Sequence, residues 1–204
     1  MRRTKEDAEA TRALVLKAAL SVFSAKGYAA ATLEDVAKVA HVTRGAIYWH
    51  FENKADLYNT LVGDLSARGA SLVQQATAEG GSLLEILRRV LVRQFTLIEE
   101  DSDARAVMEL ALFKTGLNPE LEPGRGRQLK AGHLQVQGLA DAMRLGIGEG
   151  VLRNDLDPVD MARSFIAFGN GVIHLWLVSP TSFSLRASAN AFADLLISGL
   201  EPKP

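Results

Sequence analysis

The 204-residue chain contains no cysteine. That excludes a disulfide framework, a thiolate metal site and a cysteine nucleophile, and it suits a reducing cytoplasm without requiring one. Histidine is scarce: His41, His50, His133 and His174 are the four, and no two stand at metal-ligand spacing. G-x-S-x-G, H-E-x-x-H and phosphate-loop patterns are missing as well. Gly146-Ile147-Gly148-Glu149-Gly150 looks superficially like a nucleotide-binding loop, but Val151 occupies the place of the last glycine and no strand pattern precedes it. It reads as a helix end and turn. Glu99, Glu100, Asp101 and Asp103 read as a solvated connection. No catalytic residue, metal ligand or cofactor is expected, and an enzyme is the disfavoured class.

Long apolar runs are few. The longest uncharged stretch, Ser164 to Leu185, contains Asn170, His174 and Pro180 and is poor material for a lipid-facing span. It is predicted to be a buried helix followed by a turn. Met1 to Asp7 is charged and no apolar stretch follows, so no secretory signal and no membrane partner are expected. A strong charge bias is absent too, with a net charge of −1. The total conceals a mild split: residues 1–60 hold nine Lys/Arg against seven Asp/Glu, and residues 61–204 hold fourteen against seventeen. This permits a nucleic-acid-binding end without establishing one.

What is present is an ordinary globular balance, 48% hydrophobic and 23% charged, arranged with helical periodicity. Leu14, Ala18, Val22 and Phe23 stripe a first helix that stops at Gly27. Thr32-Leu33-Glu34-Asp35 is a capping pattern that opens a short second helix. A third is expected from Thr43 through Phe51, and Asn53-Lys54-Ala55-Asp56 opens a longer fourth. After Gly80-Gly81, Ser82 with Glu85 caps a fifth at roughly 83–100, and Ser102 caps a sixth. Asn118-Pro119 and Pro123 to Gly126 are read as a loop before a seventh helix at roughly 127–149. Asp157-Pro158 starts an eighth to about Val178, and Ser184 caps a ninth to about Leu200. The expected fold class is all-α with about nine helices. An N-terminal three-helix domain at 1–53 would precede a larger helical domain at 54–204.

The second and third helices are separated only by Ala40-His41-Val42, which suggests a helix-turn-helix. Ile47 and Phe51, four apart, can face the core with Val36 and Leu33. Thr43, Arg44, Tyr48, Trp49 and His50 are left outward or at the helix margin. Such a set suits DNA: Arg44 can grip guanine O6 and N7, while Thr43 and Tyr48 can reach phosphate or thymine methyls. Lys54, at a helix start, is placed to meet a backbone phosphate. The plainer alternative is that Tyr48, Trp49 and His50 only pack a small domain.

Three segments carry a family resemblance: Thr32 to Ala37, Val42 to Phe51, and Asn53 to Leu57. Together they strongly resemble the N-terminal signature of the TetR family of repressors, and the third helix is similar to its AcrR branch, regulators of multidrug efflux pumps. Weaker likeness continues through Met108-Glu109-Leu110, the turn from Leu152 to Pro158, Gly171, Trp176-Leu177, Pro180 and Phe183-Ser184-Leu185. The resemblance implies DNA contacts at Thr32, Thr43, Arg44, Tyr48, Trp49, His50 and Lys54, with Gly45 allowing close backbone approach. One departure is His41, where the family usually has glycine or asparagine. Histidine tolerates positive φ better than most residues, so a small strain and an intact motif are expected.

A helix-turn-helix commonly reads DNA as a two-fold dimer. The eighth and ninth helices, about 159–178 and 185–200, are candidates for the interface through Phe165, Phe168, Val172, Leu175 and Trp176, and through Ala189, Phe192, Leu195, Leu196 and Leu200. Gly169, Gly171 and Ala193 would permit close approach. Burial of both helices inside one protomer is the alternative. By resemblance the last two helices form a dimer bundle, the fourth to eighth enclose an effector site, and the fourth acts as a lever on induction. Candidate effector contacts are Leu65, Val92, Phe95, Met108, Leu112, Leu139, Ile166 and Ile173, with Gln135 and Asn170 as polar members. Asn170 and the aliphatic residues read equally as core. Apolar Met108 and Leu112 stand where some relatives carry polar residues, which points to a hydrophobic or aromatic effector. The expectation is therefore a cytoplasmic, homodimeric repressor that binds a double-stranded operator and controls efflux or detoxification. A protein that retains the scaffold but acts through a protein partner, or a regulator of a metabolic operon, is the alternative.

Overall fold

The computed structural model describes residues 5–202; the charged opening at 1–4 and residues 203–204 lie outside them. Among the described residues there are nine α-helices and no strand: α1 (Lys5–Ala30), α2 (Leu33–Ala40), α3 (Arg44–Tyr48), α4 (Lys54–Ala78), α5 (Leu83–Glu100), α6 (Ser102–Glu109), α7 (Glu122–Gly148), α8 (Pro158–Val178) and α9 (Leu185–Ser198). A π-helical turn, Leu110–Lys114, and a 3₁₀ turn, Pro119–Leu121, fall between α6 and α7. Gly27, at φ 74° and ψ 165°, interrupts α1 at the predicted stop. The capping reading holds at atomic detail. Thr32 Oγ1 accepts from the Asp35 amide at 3.1 Å, and the Thr32 amide donates to Asp35 Oδ2 at 3.1 Å. Ser82 and Glu85 repeat this reciprocal pair.

Two expectations need correction. The third helix ends at Tyr48 rather than Phe51, the chain continuing as a turn through Trp49 and His50. Pro123 to Gly126 is not loop but the first turns of α7. Proline is tolerated there because a first-turn amide has no intrahelical acceptor. Gly124 lies close under a neighbour: a Cβ on it would fall 2.1 Å from Asn59 Oδ1, so that side chain would have to turn away.

The chain forms two compact units, residues 1–67 with 103–125, and residues 68–102 with 126–204. This grouping differs from a division after residue 53. Leu57, Tyr58 and Leu61 of α4, with Val107, Leu110 and Leu121, pack into one cluster with Val15, Phe23, Val36, Ile47 and Phe51. Apolar side chains from α4 and from 103–125 thus complete the core begun by α1, α2 and α3. In the second unit, α5 packs along α9, with α8 beside both. Leu87, Leu91, Phe95 and Ile98 of α5 are buried with Phe165, Ile173 and Trp176 of α8 and Ala189, Ala193 and Ile197 of α9. The Trp176 indole donates to Phe183 O at 3.0 Å, and Arg88 Nε meets Asp194 Oδ1 at 2.6 Å. By length and composition α1 and α8 could cross a membrane. Here each places one stripe in a protein core, and the run read as helix plus turn is α8 followed by the turn before α9.

Candidate nucleic-acid interface

The turn between α2 and α3 is built by His41, the sole non-glycine residue with positive φ among those described (φ 54°, ψ 39°). Its amide bonds back to Ala37 and Lys38, and the Val42 amide reaches Ala37 O at 3.0 Å, which closes α2. Thr43 then caps α3, its hydroxyl oxygen accepting from the Ala46 amide at 3.2 Å. Ile47 and Phe51 are buried as expected, at 0% and 2% exposure. Burying that stripe forces the opposite side of this short helix outward. Tyr48 and Trp49 are 49% and 79% exposed, and Thr43, Arg44 and Gly45 are exposed beside them. Both rings are surface groups and neither closes the domain core. The packing alternative therefore fails for Tyr48 and Trp49.

Among the described residues no carboxylate pairs with Arg44: its Nη2 donates to the Tyr48 hydroxyl at 3.1 Å and its guanidinium lies 5.8 Å from that ring. A Cβ on Gly45 would meet only Thr43 Oγ1, at 3.7 Å, so the backbone there faces open space. His50 is half-buried, and its Nε2 has no hydrogen-bond partner among the described residues. Thr32 is exposed but engaged, its hydroxyl donating to Asp35 Oδ2 at 2.8 Å. Lys26 holds the other Asp35 oxygen at 2.7 Å, and this contact, with the Thr32 hydrogen bond, brings the Asp35 carboxyl down to about 2.

Lys54 departs from expectation. Its ammonium turns inward, donating to Tyr28 O at 3.1 Å and Ala31 O at 3.2 Å, and lies 4.4 Å from the Tyr28 ring centroid. The reason is local: the break at Gly27 leaves carbonyls at the end of α1 without helical donors, and a cation satisfies them. Tyr28 is itself buried, and its hydroxyl donates to Glu120 at 2.9 Å. Burial and that carboxylate push the phenol well above its usual range. Sequence reasoning missed this junction because its partners lie 92 residues apart. It also missed Arg12, whose guanidinium sits 5.4 Å from the Phe51 ring centroid.

The effector candidates fall in both units. In the first, Leu65 and Met108 are half-buried and Leu112 is exposed. In the second, Phe95 and Ile173 are core residues, Val92, Leu139 and Ile166 are half-buried, and Gln135 and Asn170 are exposed. Asn170 is thus not a core amide, because α8 buries the stripe Phe165, Gly169, Ile173 and Trp176, and position 170 faces away from it. A depression of about 230 Å³ in the second unit is lined by Leu156, Asp160, Met161, Ser164, Leu196, Gly199 and Leu200, none of them an expected effector contact, though Leu196 and Leu200 are interface candidates. Of the interface candidates, Phe165, Gly169, Trp176, Ala189, Ala193 and Leu200 are buried within the single chain. Leu175 and Leu195 remain 64% and 71% exposed, and Val178, which the sequence pattern did not single out, is 65% exposed beside them in the chain.

A capped α2, a left-handed turn and a short α3 with an exposed aromatic and cationic face over a buried stripe define a helix-turn-helix DNA-binding protein. Residues 15–61 match the family described as "Bacterial regulatory proteins, tetR family", and residues 82–202 match the "MAATS-type transcriptional repressor, C-terminal region". The chain belongs to the TetR family of bacterial transcriptional regulators. It is 32% identical to the transcriptional regulator TtgR of Pseudomonas putida over 205 residues, covering 100% of this chain and 98% of that one. Its fold is similar to that of NalD, secondary repressor of the MexAB-OprM multidrug efflux pump in Pseudomonas aeruginosa, with a TM-score of 0.85, 25% identity, and 97% and 98% of the two chains covered. A SmeT–triclosan complex superposes with a TM-score of 0.81 at 27% identity, over 94% of this chain and 92% of SmeT; SmeT is a multidrug efflux pump repressor of Stenotrophomonas maltophilia.

Proposed function

We propose that this protein is a homodimeric, cytoplasmic repressor of an efflux or detoxification operon, released from a palindromic operator by a hydrophobic or aromatic small molecule. The observation that carries the reading is the α3 face, where Arg44, Tyr48 and Trp49 stand exposed over buried Ile47 and Phe51. In this account Arg44 reads a guanine edge, with Tyr48 orienting its guanidinium. The Thr43 hydroxyl, whose oxygen already caps α3, still has its hydrogen to give to a phosphate. Gly45 lets the backbone approach the groove wall, and Trp49, His50 and Thr32 flank it. Lys54 acts from behind the interface by fixing the end of α1 that backs α3 and α4. The N-terminus of α4 can still attract phosphate through the Lys54 and Ala55 amides, the Asp56 amide being taken by the Asn53 cap.

The exposed apolar side chains Leu175, Val178 and Leu195 on α8 and α9 supply the dimer surface, which sets two heads at the spacing a palindrome requires. Likeness to efflux-pump repressors, one of them complexed with triclosan, supports the effector class. Val92, Leu139 and Ile166 in the second unit, and Leu65 and Met108 in the first, are the half-buried side chains to vary first. The effector lowers DNA affinity only insofar as it prefers the form that binds DNA less well.

The test is a gel shift of the chain's own upstream DNA at moderate salt, with and without a panel of apolar drugs and aromatic compounds. A specific band released by one compound supports the reading. A specific band that no member of the panel releases removes the drug-responsive part. Absence of any specific band removes control of the neighbouring operon.

A further inference from the structure

Two arginines in the first unit share an uncommon setting. Many of the other guanidinium groups meet carboxylates, among them Arg88 with Asp194, Arg93 with Glu79, Arg153 with Asp155 and Arg186 with Glu100. Arg44 instead lies against the Tyr48 ring, and Arg12 against Phe51 at 5.4 Å. Arg12 is exposed, and among the described residues no carboxylate reaches it. The nearest acid along α1 toward its start, Glu9, pairs with Lys5 at 3.9 Å. An aromatic face orients a guanidinium and leaves its in-plane N–H groups and its charge available. Phe51 follows Trp49 and His50 directly in the chain, so its ring ties Arg12 to the residue that ends the reading segment. A planar, fully charged fork with unoccupied donors is suited to a phosphodiester oxygen pair.

We infer that Arg12 is a further DNA-backbone contact, a phosphate anchor contributed by α1 and held in place by the Phe51 ring. It rests on the reading of α3 as the DNA-facing element. The role is positional: it fixes the register of Arg44 on the bases and carries no sequence information. Glu6, Asp7 and Glu9 precede it on α1, so the anchor works only where those acids point away from the strand.

The test uses the full-length protein and a duplex that the wild type selects from a random pool. Affinity is measured across a salt series for wild type, Arg12→Gln and Arg12→Lys, with melting temperatures alongside. Loss of one phosphate contact lowers the slope of log affinity against log salt by about 0.9, or roughly 1.8 for two heads. Arg12→Gln should show that loss with its base preference intact, and Arg12→Lys should keep most of the wild-type slope. An unchanged slope in Arg12→Gln overturns the anchor while DNA reading stands. Equal weakening in both variants with a lowered melting temperature and unchanged slope assigns Arg12 to packing on Phe51 and also overturns it. If the wild type enriches no duplex, the DNA-facing reading of α3 fails first and the anchor goes with it.

Discussion

Replacing Lys54 with methionine tests whether the inward-turned ammonium is a structural tie. Methionine keeps a long apolar stem near the Tyr28 ring and removes the charge and all three donors. Three carbonyls, Tyr28 O, Ala31 O and Ala29 O, lose a donor at 3.1, 3.2 and 3.5 Å, and the ring loses a cation at 4.4 Å. A hydrogen bond from a charged donor contributes about 1.5–3 kcal/mol, and a partly exposed cation over a ring adds roughly 0.5–1 kcal/mol. The site is only half-buried, so water can replace part of both. A net loss of about 2–3 kcal/mol follows once that replacement discounts the gross sum. At roughly 2–4 °C per kcal/mol for a chain of this size, the melting point should fall by about 4–12 °C. The assay is thermal unfolding followed by circular dichroism, at fixed protein concentration because a dimer's midpoint depends on it. A Lys54→Met protein that melts with the wild type, while its affinity falls on every DNA sequence with a lower salt slope, would refute the tie. It would restore Lys54 as a simple phosphate contact.

Three further outcomes follow from local geometry. Gly27→Ala forces a Cβ into a conformation at φ 74° and ψ 165°, with Lys114 O at 3.3 Å, and should cost about 1–3 kcal/mol; denaturant unfolding would show an unchanged midpoint if the kink is not needed. His41→Gly removes a left-handed non-glycine residue and should raise stability by up to about 1 kcal/mol, part of the gain being cancelled by the freer unfolded chain; a lower melting point would contradict the strain reading. Asp35, held at about 2 by Lys26 and Thr32 against an ordinary 3.8, contributes stability that is present above its unfolded value and is lost as pH falls from about 4 toward 2. Acid titration should show that window in the wild type and not in Asp35→Asn.

The features legible in the sequence are those made by neighbours along the chain. Thr32, Thr43, Asn53, Ser82, Asp157 and Ser184 are readable as caps because each oxygen bonds an amide two or three residues on. The buried pair Ile47 and Phe51 follows from a four-residue step, and His41 from the need for a left-handed turn. What stays hidden depends on partners far along the chain. Lys54 turns toward carbonyls 23 and 26 residues earlier, and Tyr28 finds Glu120. Apolar pattern alone does not say which stripe of α8 packs inside the chain. Phe165 and Trp176 therefore stand beside Leu175 as interface candidates in the sequence, although only Leu175 of the three is exposed. Pro123 conceals the start of α7 because proline marks both loops and first turns.

The central claim is that the α3 face reads DNA sequence. The most direct measurement is the ratio of affinities for the selected duplex and a scrambled one, in wild type and Arg44→Ala, at one salt concentration. The wild type should prefer its selected site by at least about 10³. Arg44→Ala should lose about 1–3 kcal/mol of that discrimination per half-site while still binding DNA generally. A wild-type ratio near one, or a ratio that Arg44→Ala leaves unchanged, would contradict it.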